Sequence, residues 1–240
     1  MEIIMDLHTH SIASIHAYST ITENAREGKK NGLQIMGMSD HGYGMPNTTN
    51  PDHWMNLKCL PEYLEGVRLL KGIEANIYNE DGMMIEEDVF HRVDYVIGSI
   101  HGNAYDYSSS DSDNYTKATI NAIERNPQMN ILGHPDDSRH PLNYKEVIPV
   151  AAAHGVAIEV NNSSLRPENA RKNCEANMRT YLPLCVKYSC QIIINSDAHM
   201  LDAVGNFTLA KKLLNELCFP EELLVNTSWK KLENLLGKSL

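Results

Sequence analysis

The stretch EIIMDLHTH, residues Glu2 to His10, joins a short apolar run to a pair of histidines. The run Glu2–Leu7 has the length of a β-strand, and its largely apolar character is typical of a parallel strand buried on both faces. In folds built from parallel strands and helices, the functional side chains lie at the carboxyl ends of the strands. His8 and His10 would occupy such an end, and their spacing places both side chains on the same face.

Further apolar runs predict six more strands. These runs are Leu33–Met38, Leu69–Ile73, Tyr95–Ile100, Asn130–Gly133, Val156–Val160 and Gln191–Ile194. Helical patterns lie between and after them, at 20–32, Asn114–Arg125, Tyr144–His154, Arg171–Tyr188, Phe207–Leu217 and Ser228–Leu236. Thr20 and Glu23 have the spacing of a capping box, which favours a helix start at that point. Strand and helix alternate about seven times, which predicts an α/β fold, either a βα barrel or a doubly wound sheet.

The composition favours one globular domain over residues 1–240. The chain has 240 residues, close to the roughly 250 of a single α/β barrel. Hydrophobic residues make up 42% of it and charged residues 22%, values that exclude a largely disordered chain. The net charge of −10 makes a nucleic-acid partner unlikely, because such proteins need a basic surface to neutralise phosphates. The sequence leaves the oligomeric state open.

The sequence also predicts a cytoplasmic protein that is not bound to a membrane. It contains no apolar run near the ~18 residues of a membrane span, and no signal peptide is recognisable at its start. The five cysteines form no C-x-x-C motif, and their odd number argues against a disulfide framework. The one biased segment, Ser108–Asp113, is expected to be a polar loop.

Five of the seven predicted strand ends carry a histidine, and a carboxylate marks the end of the third strand. These ends contribute His8 and His10, His41, Glu74, His101, His134, and Asp197 with His199. Neutral imidazoles with a few carboxylates suit Zn²⁺, and also Mn²⁺ or Fe²⁺. When such a metal keeps positions open to water, hydrolysis is the expected chemistry. The pattern therefore predicts a metal-dependent hydrolase.

The same residues resemble the motifs of the PHP family, named after polymerase and histidinol phosphatase. The motifs are H-T-H at residues 8–10, His16, S-D-H-G at 39–42, G-I-E-A-N at 72–76 and S-D-A-H at 196–199. Residues 8–20, 72–77 and 159–164 resemble in particular a bacterial branch of stand-alone probable phosphatases. The similarity extends from about residue 3 to residue 236. It implies a single domain with a distorted (βα)7 TIM-like barrel.

The resemblance implies a trinuclear metal centre with nine ligands. One ion would be bound by His8, His10, Glu74 and Asp197, and a second by Glu74, His101 and His134. The third would be bound by His16, His41 and His199, and this set shares no ligand with the two ions that Glu74 joins. The ions are expected to be zinc, with manganese or iron as substitutes.

The implied activity is that of a phosphatase acting on a small phosphorylated metabolite. A metal-bound hydroxide would be the nucleophile, and the sequence identifies no side chain as general acid. Three divalent ions bring about +6, while two carboxylates and a bridging hydroxide bring about −3. The remaining charge of about +3 would attract a phosphate dianion into a protein whose net charge is −10.

Three alternatives remain open. A phosphodiesterase or nuclease of the PHP type would use the same ligands, although the acidic composition disfavours it. A non-catalytic zinc-binding module would bind metal without turnover. An amidohydrolase also uses H-x-H on a first strand, but that family usually carries a metal-bridging lysine, and no lysine ends a predicted strand here.

Several other polar residues near the strand ends are weaker candidates. Arg139 and His140 would bind phosphate or form a solvated loop, and Asn161 and Asn162 would hold metal-bound water or cap the next helix. His53 with Trp54 would contact the substrate or only lie in the loop after the second strand, near the mouth of the barrel. Asp6 and Asp40 would orient ligands from outside, although strand alternation turns each away from its neighbouring histidine.

Overall fold

The computed structural model describes residues 1–106 and 114–240, so the predicted polar loop Ser108–Asp113 lies outside the described residues. One sheet contains eight strands, of which seven follow the parallel order β1-β2-β4-β5-β6-β7-β8. The strands are β1 (Met5–Asp6), β2 (Ile35–Met38), β3 (Tyr63–Leu64), β4 (Val67–Asn76), β5 (Tyr95–Ser99), β6 (Met129–Leu132), β7 (Ala157–Asn161) and β8 (Ile192–Asn195). The strand β3 pairs antiparallel with β4 outside that path.

The helices that connect the strands are α1 (Ile21–Lys30), α2 (Pro51–Met55), α3 (Tyr115–Arg125), α4 (Tyr144–His154), α5 (Cys174–Lys187), α6 (Thr208–Glu216) and α7 (Trp229–Leu236). The capping box of Thr20 and Glu23 is present, and α1 begins where it predicts. The seven predicted strands correspond to β1, β2 and β4–β8, and the six predicted helices to α1 and α3–α7. The sequence does not predict α2 and β3, because elements of two to five residues are too short to show a hydrophobic period.

The first strand is much shorter than the predicted Glu2–Leu7, because side chains replace part of its ladder. The amide of Leu7 donates to Oδ1 of Asn195 at 2.9 Å. Asn226 is fully buried, donates from Nδ2 to the carbonyls of Met5 and Ile194, and accepts from the amide of Ile194. These bonds satisfy backbone groups between the first and last strands that no regular ladder reaches.

Backbone pairing closes the sheet above this seam. Thr9 and Ala198 form a parallel bridge, and the amide of His10 donates to the carbonyl of Ala198 at 2.9 Å. The seven parallel strands therefore form a ring, which confirms the predicted distorted (βα)7 barrel. Across the described residues, none of the helices combines the length and apolar character needed to cross a membrane. All five cysteines are free.

The lower half of the barrel interior, at the amino ends of the strands, is packed with apolar side chains. Buried residues from all seven parallel strands meet there, among them Met5, Ile35, Leu70, Tyr95 and Ile193. The side chain of Tyr95 crosses the barrel next to Gly37 and Gly72. A Cβ added at Gly37 would lie 2.0 Å from its hydroxyl oxygen, and one added at Gly72 would lie 2.1 Å from Cζ of its ring. Its hydroxyl donates to the carbonyl of Leu7 at 2.6 Å. Glycine at these two positions makes room for the aromatic ring that closes the lower end.

Candidate metal centre

Along each strand, the side chains that face the barrel interior change from apolar to polar within a few residues. Along β4, Leu70, Gly72 and Glu74 share the inner face, because side chains of a strand repeat every second residue. The same face of β8 continues from Ile193 through Asn195 towards Asp197, which follows the strand. The carboxyl ends of parallel strands lie at the same end of a barrel, so the predicted ligands converge there.

Glu74 lies at the middle of the cluster and uses its two carboxylate oxygens towards different partners. Oε1 lies 2.8 Å from Nε2 of His134 and 3.2 Å from Nε2 of His101. Oε2 lies 3.4 Å and 3.6 Å from Nε2 of His8 and His10. Each carboxylate oxygen of Glu74 therefore faces a different pair of histidines, and His41 adds a further contact to Oε2.

Asp197 completes the first predicted set. Its Oδ1 lies 3.2 Å from Nε2 of His10 and 3.6 Å from Nε2 of His8. Asp197 has φ of 52°, and His134 has φ of 27°. Non-glycine residues rarely occupy this left-handed region, and such strain is concentrated at functional sites, where surrounding contacts hold it.

His16, His41 and His199 form the outer layer of the cluster. The ring of His16 stacks on those of His41 and His199, with centroids 4.9 Å and 4.7 Å apart. Nε2 of His41 lies 3.2 Å from Nε2 of His16, whereas its Nδ1 lies 2.6 Å from Oε2 of Glu74. The three residues therefore lie together as predicted, but His41 also contacts Glu74, so the third set is not separate from that carboxylate.

Three overlapping groups of donor atoms have the spacing of a metal site. Within each group all donor atoms lie within 4.8 Å of one another. The groups are His8, His10 and Asp197; His10, His41 and His199; and His41, Glu74 and His101. Six of the nine predicted ligands are buried, His101 and His199 are partly buried, and His16 is exposed.

The pKa shifts in the cluster follow from burial and from the opposing charges packed together. Burial lowers the pKa of His10 well below its usual value, and His199 and His41 lower it further. Burial, with His41 and His199, lowers the pKa of His16 to about 4. Burial raises the pKa of Glu74, but His101, His41 and His8 outweigh it and hold the pKa well below the usual range. An ionised carboxylate and neutral imidazoles are the forms that bind a metal. His8 differs, because burial lowers its pKa but Glu159, Glu74 and Asp197 outweigh burial and hold that pKa well above its usual value.

Glu159 is a functional residue that the sequence analysis missed. It is fully buried in β7, and its Oε1 lies 2.7 Å from Nδ1 of His8. Its Oε2 accepts from the amide of His134 at 2.7 Å and from Nδ2 of Asn161 at 3.0 Å. A carboxylate on the far nitrogen of a metal-binding histidine fixes its tautomer and orientation. The available signal was a carboxylate inside the apolar run Val156–Val160.

Arg171 also escaped the sequence analysis, which gave it only as the start of a helix. Its guanidinium donates to Oδ2 of Asp197 at 2.9 Å and to Oγ of Ser164 at 3.1 Å. It lines a cleft of about 510 Å³ together with His101, His134 and Arg139. This cleft brings cationic side chains next to the predicted ligands.

The asparagine candidates have structural roles, and one of them also contacts the cluster. Asn162 accepts from the amides of Leu209 and Ala210, so it caps α6 and not the next helix along the chain, α5. Nδ2 of Asn161 donates to Glu159 and, at 3.1 Å, to Oδ2 of Asp197.

The candidates in the loop after β6 and in α2 divide between the cleft and the core. Arg139 and His140 line the cleft, with Arg139 also paired to Asp137. Burial lowers the pKa of His140 to about 4. Trp54 is fully buried in the core, so the predicted substrate contact for it is wrong. His53 is mostly buried and lies 3.8 Å from Asp40.

Asp6 and Asp40 lie outside the cluster, as strand alternation predicts. Asp6 accepts from the amides of Ser196 and Gly205, and burial raises its pKa to about 6. Asp40 accepts from the hydroxyl of Ser14, whose Oγ lies 3.2 Å from Nδ1 of His10. Asp40 therefore reaches a predicted ligand only through Ser14.

Comparison with known proteins agrees with this geometry. The model of the PHP domain matches residues 6–163. A probable phosphatase of Thermoanaerobacter sp. (strain X514) is 41% identical over 237 residues, which cover 98% of this chain and 95% of that protein. A probable phosphatase of Acetivibrio thermocellus is 37% identical over 239 residues, covering 99% of this chain and 97% of that protein.

Solved structures share the fold at low sequence identity. Histidinol phosphate phosphatase from Lactococcus lactis, complexed with zinc, L-histidinol and phosphate, has a TM-score of 0.63 and 15% identity. The match covers 90% of this chain and 94% of that one. A putative histidinol phosphatase from Listeria monocytogenes has a TM-score of 0.56 and 13% identity, covering 84% and 97%.

Proposed function

Because this chain belongs to the PHP domain family, we propose that it is a metal-dependent phosphatase, which hydrolyses a small-molecule phosphomonoester at a centre of three divalent ions. The observation that carries the proposal is the arrangement around Glu74. One carboxylate oxygen faces His101 and His134, while the other faces His8 and His10. A carboxylate held in this way suits a ligand that bridges two ions.

The cluster fits metal ions because its buried donor atoms lack other partners. Among the described residues, Nε2 of His8, His10 and His101 and Oε2 of Glu74 are buried without a hydrogen bond of suitable geometry. Burying such atoms unpaired is unfavourable by roughly 1–3 kcal/mol each. A cation at these positions would satisfy all of them, which supports their assignment as ligands.

We assign the three ions to the sets that the sequence predicts. The first would be bound by His8, His10, Glu74 and Asp197, the second by Glu74, His101 and His134, and the third by His16, His41 and His199. Imidazole with carboxylate suits zinc, and also manganese or iron. Zinc is our first choice, because the structural relative from Lactococcus lactis contains it.

When bound, such ions would supply the chemistry of hydrolysis, because they lower the pKa of water to about 7 and neutralise charge on the phosphoryl oxygens. The residues of the chain would orient the substrate. The guanidinium of Arg171 is held by Asp197 and Ser164, so it presents a fixed cation to the cleft beside His101 and His134. Arg139, at the edge of the same cleft, adds a second positive charge.

Burial makes these charges effective in phosphate binding. Glu159 adds a negative charge that the sequence analysis did not count, and Arg171 adds a compensating positive one. The loaded centre therefore keeps its expected charge of about +3, in a site where low dielectric strengthens electrostatic attraction. A cleft of about 510 Å³ suits a small phosphorylated metabolite.

The test is a comparison of mono- and diesters with metal-loaded protein. The protein is purified without chelator, supplied with Zn²⁺ or Mn²⁺, and assayed on p-nitrophenyl phosphate, on its bis-ester and on a panel of phosphorylated metabolites. We expect about three ions per chain by elemental analysis and a clear preference for monoesters. Preference for the bis-ester would instead assign a phosphodiesterase, and tight metal binding without turnover would assign a zinc-binding module.

A further inference from the structure

Glu86 is a buried carboxylate that lies outside the proposed ligand set. It follows the antiparallel bridge between Ile77 and Met84 and precedes a short 3-10 helix, Glu87–Arg92. Its side chain is fully shielded from solvent. Burial raises its pKa, while its hydrogen bonds to Asn76 and Gly44 oppose that rise. A buried carboxylate is unfavourable unless hydrogen bonds compensate it, so its partners indicate its role.

Three hydrogen bonds join this carboxylate to N–H donors of Asn76 and Gly44. Oε2 accepts from the amide of Asn76 at 2.9 Å. Oε1 accepts from Nδ2 of Asn76 at 2.6 Å and from the amide of Gly44 at 2.8 Å. The carboxylate therefore ties the end of β4 to the loop that follows His41.

The contact with Asn76 fixes which way that side-chain amide points. Nδ2 must face Glu86, because a carboxylate accepts and an amide nitrogen donates. Oδ1 of Asn76 is then left to face Nδ1 of His101, at 2.8 Å. A carbonyl oxygen only accepts, so Nδ1 of His101 carries the proton. The unprotonated nitrogen is Nε2, which lies 3.2 Å from Oε1 of Glu74 and would bind the metal.

We propose that Glu86 is a positioning residue, which sets the tautomer of His101 through Asn76 and holds the loop of His41 through Gly44. The role parallels that of Glu159 towards His8, but it acts through one intervening side chain. Partners that orient a metal-binding histidine are commonly worth about 10–100-fold in metal affinity.

The glycines beside Glu86 agree with this role. A Cβ added at Gly42 would lie 2.3 Å from Oε1 of Glu86, and one added at Gly44 would lie 2.8 Å from the same atom. The loop therefore approaches the carboxylate more closely than a side chain would allow. This close approach lets the amide of Gly44 reach Glu86.

The test variant is Glu86→Gln, with Glu87→Gln as the matched control. Glu86→Gln keeps the shape but places a donor against N–H groups that need an acceptor. Glu87 is exposed in the same loop, so its replacement removes the same charge without touching Asn76. Zinc affinity is measured by competition with a chromophoric chelator. The ring tautomer of His101 is measured in metal-free protein by long-range ¹H–¹⁵N NMR, with His101→Gln assigning the signal.

We expect Glu86→Gln to weaken the affinity of one or more zinc sites by about 10-fold or more and to reduce the Nδ1–H form of His101. Glu87→Gln should match wild type in both measurements. A folded Glu86→Gln protein with wild-type affinity and an unchanged tautomer would overturn the proposal. If Glu86→Gln does not fold, Gly42→Ala decides in its place, because its Cβ would displace the carboxylate. Unchanged affinity and tautomer in that variant would equally overturn the proposal.

The inference rests on the proposed metal centre, and the two fail in different ways. Wild-type protein that binds no zinc would refute the proposed function, while the tautomer of His101 would still show whether Glu86 controls that ring. If wild-type protein and Glu86→Gln bind zinc equally tightly and show the same tautomer of His101, only the role of Glu86 is refuted.

Discussion

The lower half of the barrel interior is filled by apolar side chains around Tyr95, whereas the upper half holds buried histidines and carboxylates around Glu74. The same strands supply both halves, since Leu70 and Glu74 lie on one face of β4. The apolar side chains of the lower half need no hydrogen-bond partner, and the hydroxyl of Tyr95 has one in the carbonyl of Leu7. The upper half keeps buried donor atoms without hydrogen-bond partners among the described residues. One barrel thus separates the residues that stabilise it from those that we propose as metal ligands.

This division makes opposite demands on the two halves. Burial of apolar side chains stabilises the fold whether or not a ligand is bound. Buried polar groups without partners lower the stability of the fold. A ligand that binds them only in the folded state raises it again. Substitutions in the lower half should therefore change stability without changing the chemistry. Substitutions in the upper half should change metal binding and turnover, and should change stability through the bound ions that are lost.

The largest effect is expected for Glu74→Gln. The change removes the charge and one of the two acceptor oxygens that face separate histidine pairs. Two ions should be lost together, and phosphatase turnover should fall by about 10³-fold or more. Elemental analysis and steady-state kinetics on one preparation measure both effects. Glu124→Gln, an exposed change of the same charge, is the control. Loss of a single ion with activity retained would contradict the bridging role.

Replacing His16 should have the next largest effect. His16 lies in the loop after β1 and its ring packs only on the outer layer of histidines, so His16→Ala should leave the barrel folded. Two ions should remain, while turnover falls by about 10²-fold, because stabilisation of developing charge is lost. Circular dichroism, metal content and turnover check the three parts.

The matched control is His91→Ala, because His91 is exposed and remote from the predicted ligands. A folded His16→Ala protein with two ions and nearly normal turnover would show that the third ion is structural or adventitious and takes no part in the reaction. The mechanism would then depend on two ions alone.

Leu70→Ala tests the other half of the comparison. Leu70 is fully buried in the lower interior, so the change leaves a cavity worth about 2–5 kcal/mol in the free energy of unfolding. Metal content and turnover of the protein that remains folded should equal those of wild type. Urea denaturation measures the loss, and Val186→Ala, at an exposed position of α5, should change the free energy by less than about 0.5 kcal/mol. A drop in metal affinity of folded Leu70→Ala would show that the two halves are coupled.

The smallest effect is expected for Glu159→Gln. The change keeps the size of the side chain but turns an acceptor into a donor towards His8 or the amide of His134. Metal affinity should fall by about 10–100-fold, and turnover should recover when excess zinc is added. Chelator competition and a zinc titration of activity measure this, with Glu222→Gln as the exposed control. Activity that no amount of zinc restores would instead give Glu159 a part in the reaction.

The sequence predicted the barrel and the cluster because both depend on local patterns. Apolar runs such as Val156–Val160 show buried parallel strands, and H-x-H puts two donors on one side of a strand end. The PHP motifs then predicted the family, which the comparisons confirm. The boundaries were less accurate. The first strand is shorter than predicted, because Asn195 and Asn226 form bonds that an apolar pattern does not reveal.

The residues that hold the ligands in place escaped prediction because their partners are distant in the chain. Glu159 is 151 residues from His8, and Arg171 is 26 residues from Asp197. Nothing in the local sequence indicates that Glu86 reaches Asn76. A charged residue inside an apolar strand, as at Glu159, is the one local sign of such a role, since an unpaired buried carboxylate would be too costly.

The seam between β1 and β8 makes the proposed metal centre a cross-link of the chain. Leu7 and Asn195, which meet there, are 188 residues apart in sequence, and the ligands His8 and Asp197 continue the same two segments. Ions bound across this seam would join nearly the two extremes of the fold, much as a disulfide closes a long loop. Closing a long loop removes more freedom from the unfolded chain than closing a short one, by an amount that grows with the logarithm of its length. The ions would then hold the barrel shut against unravelling from its first strand, in addition to their chemical role.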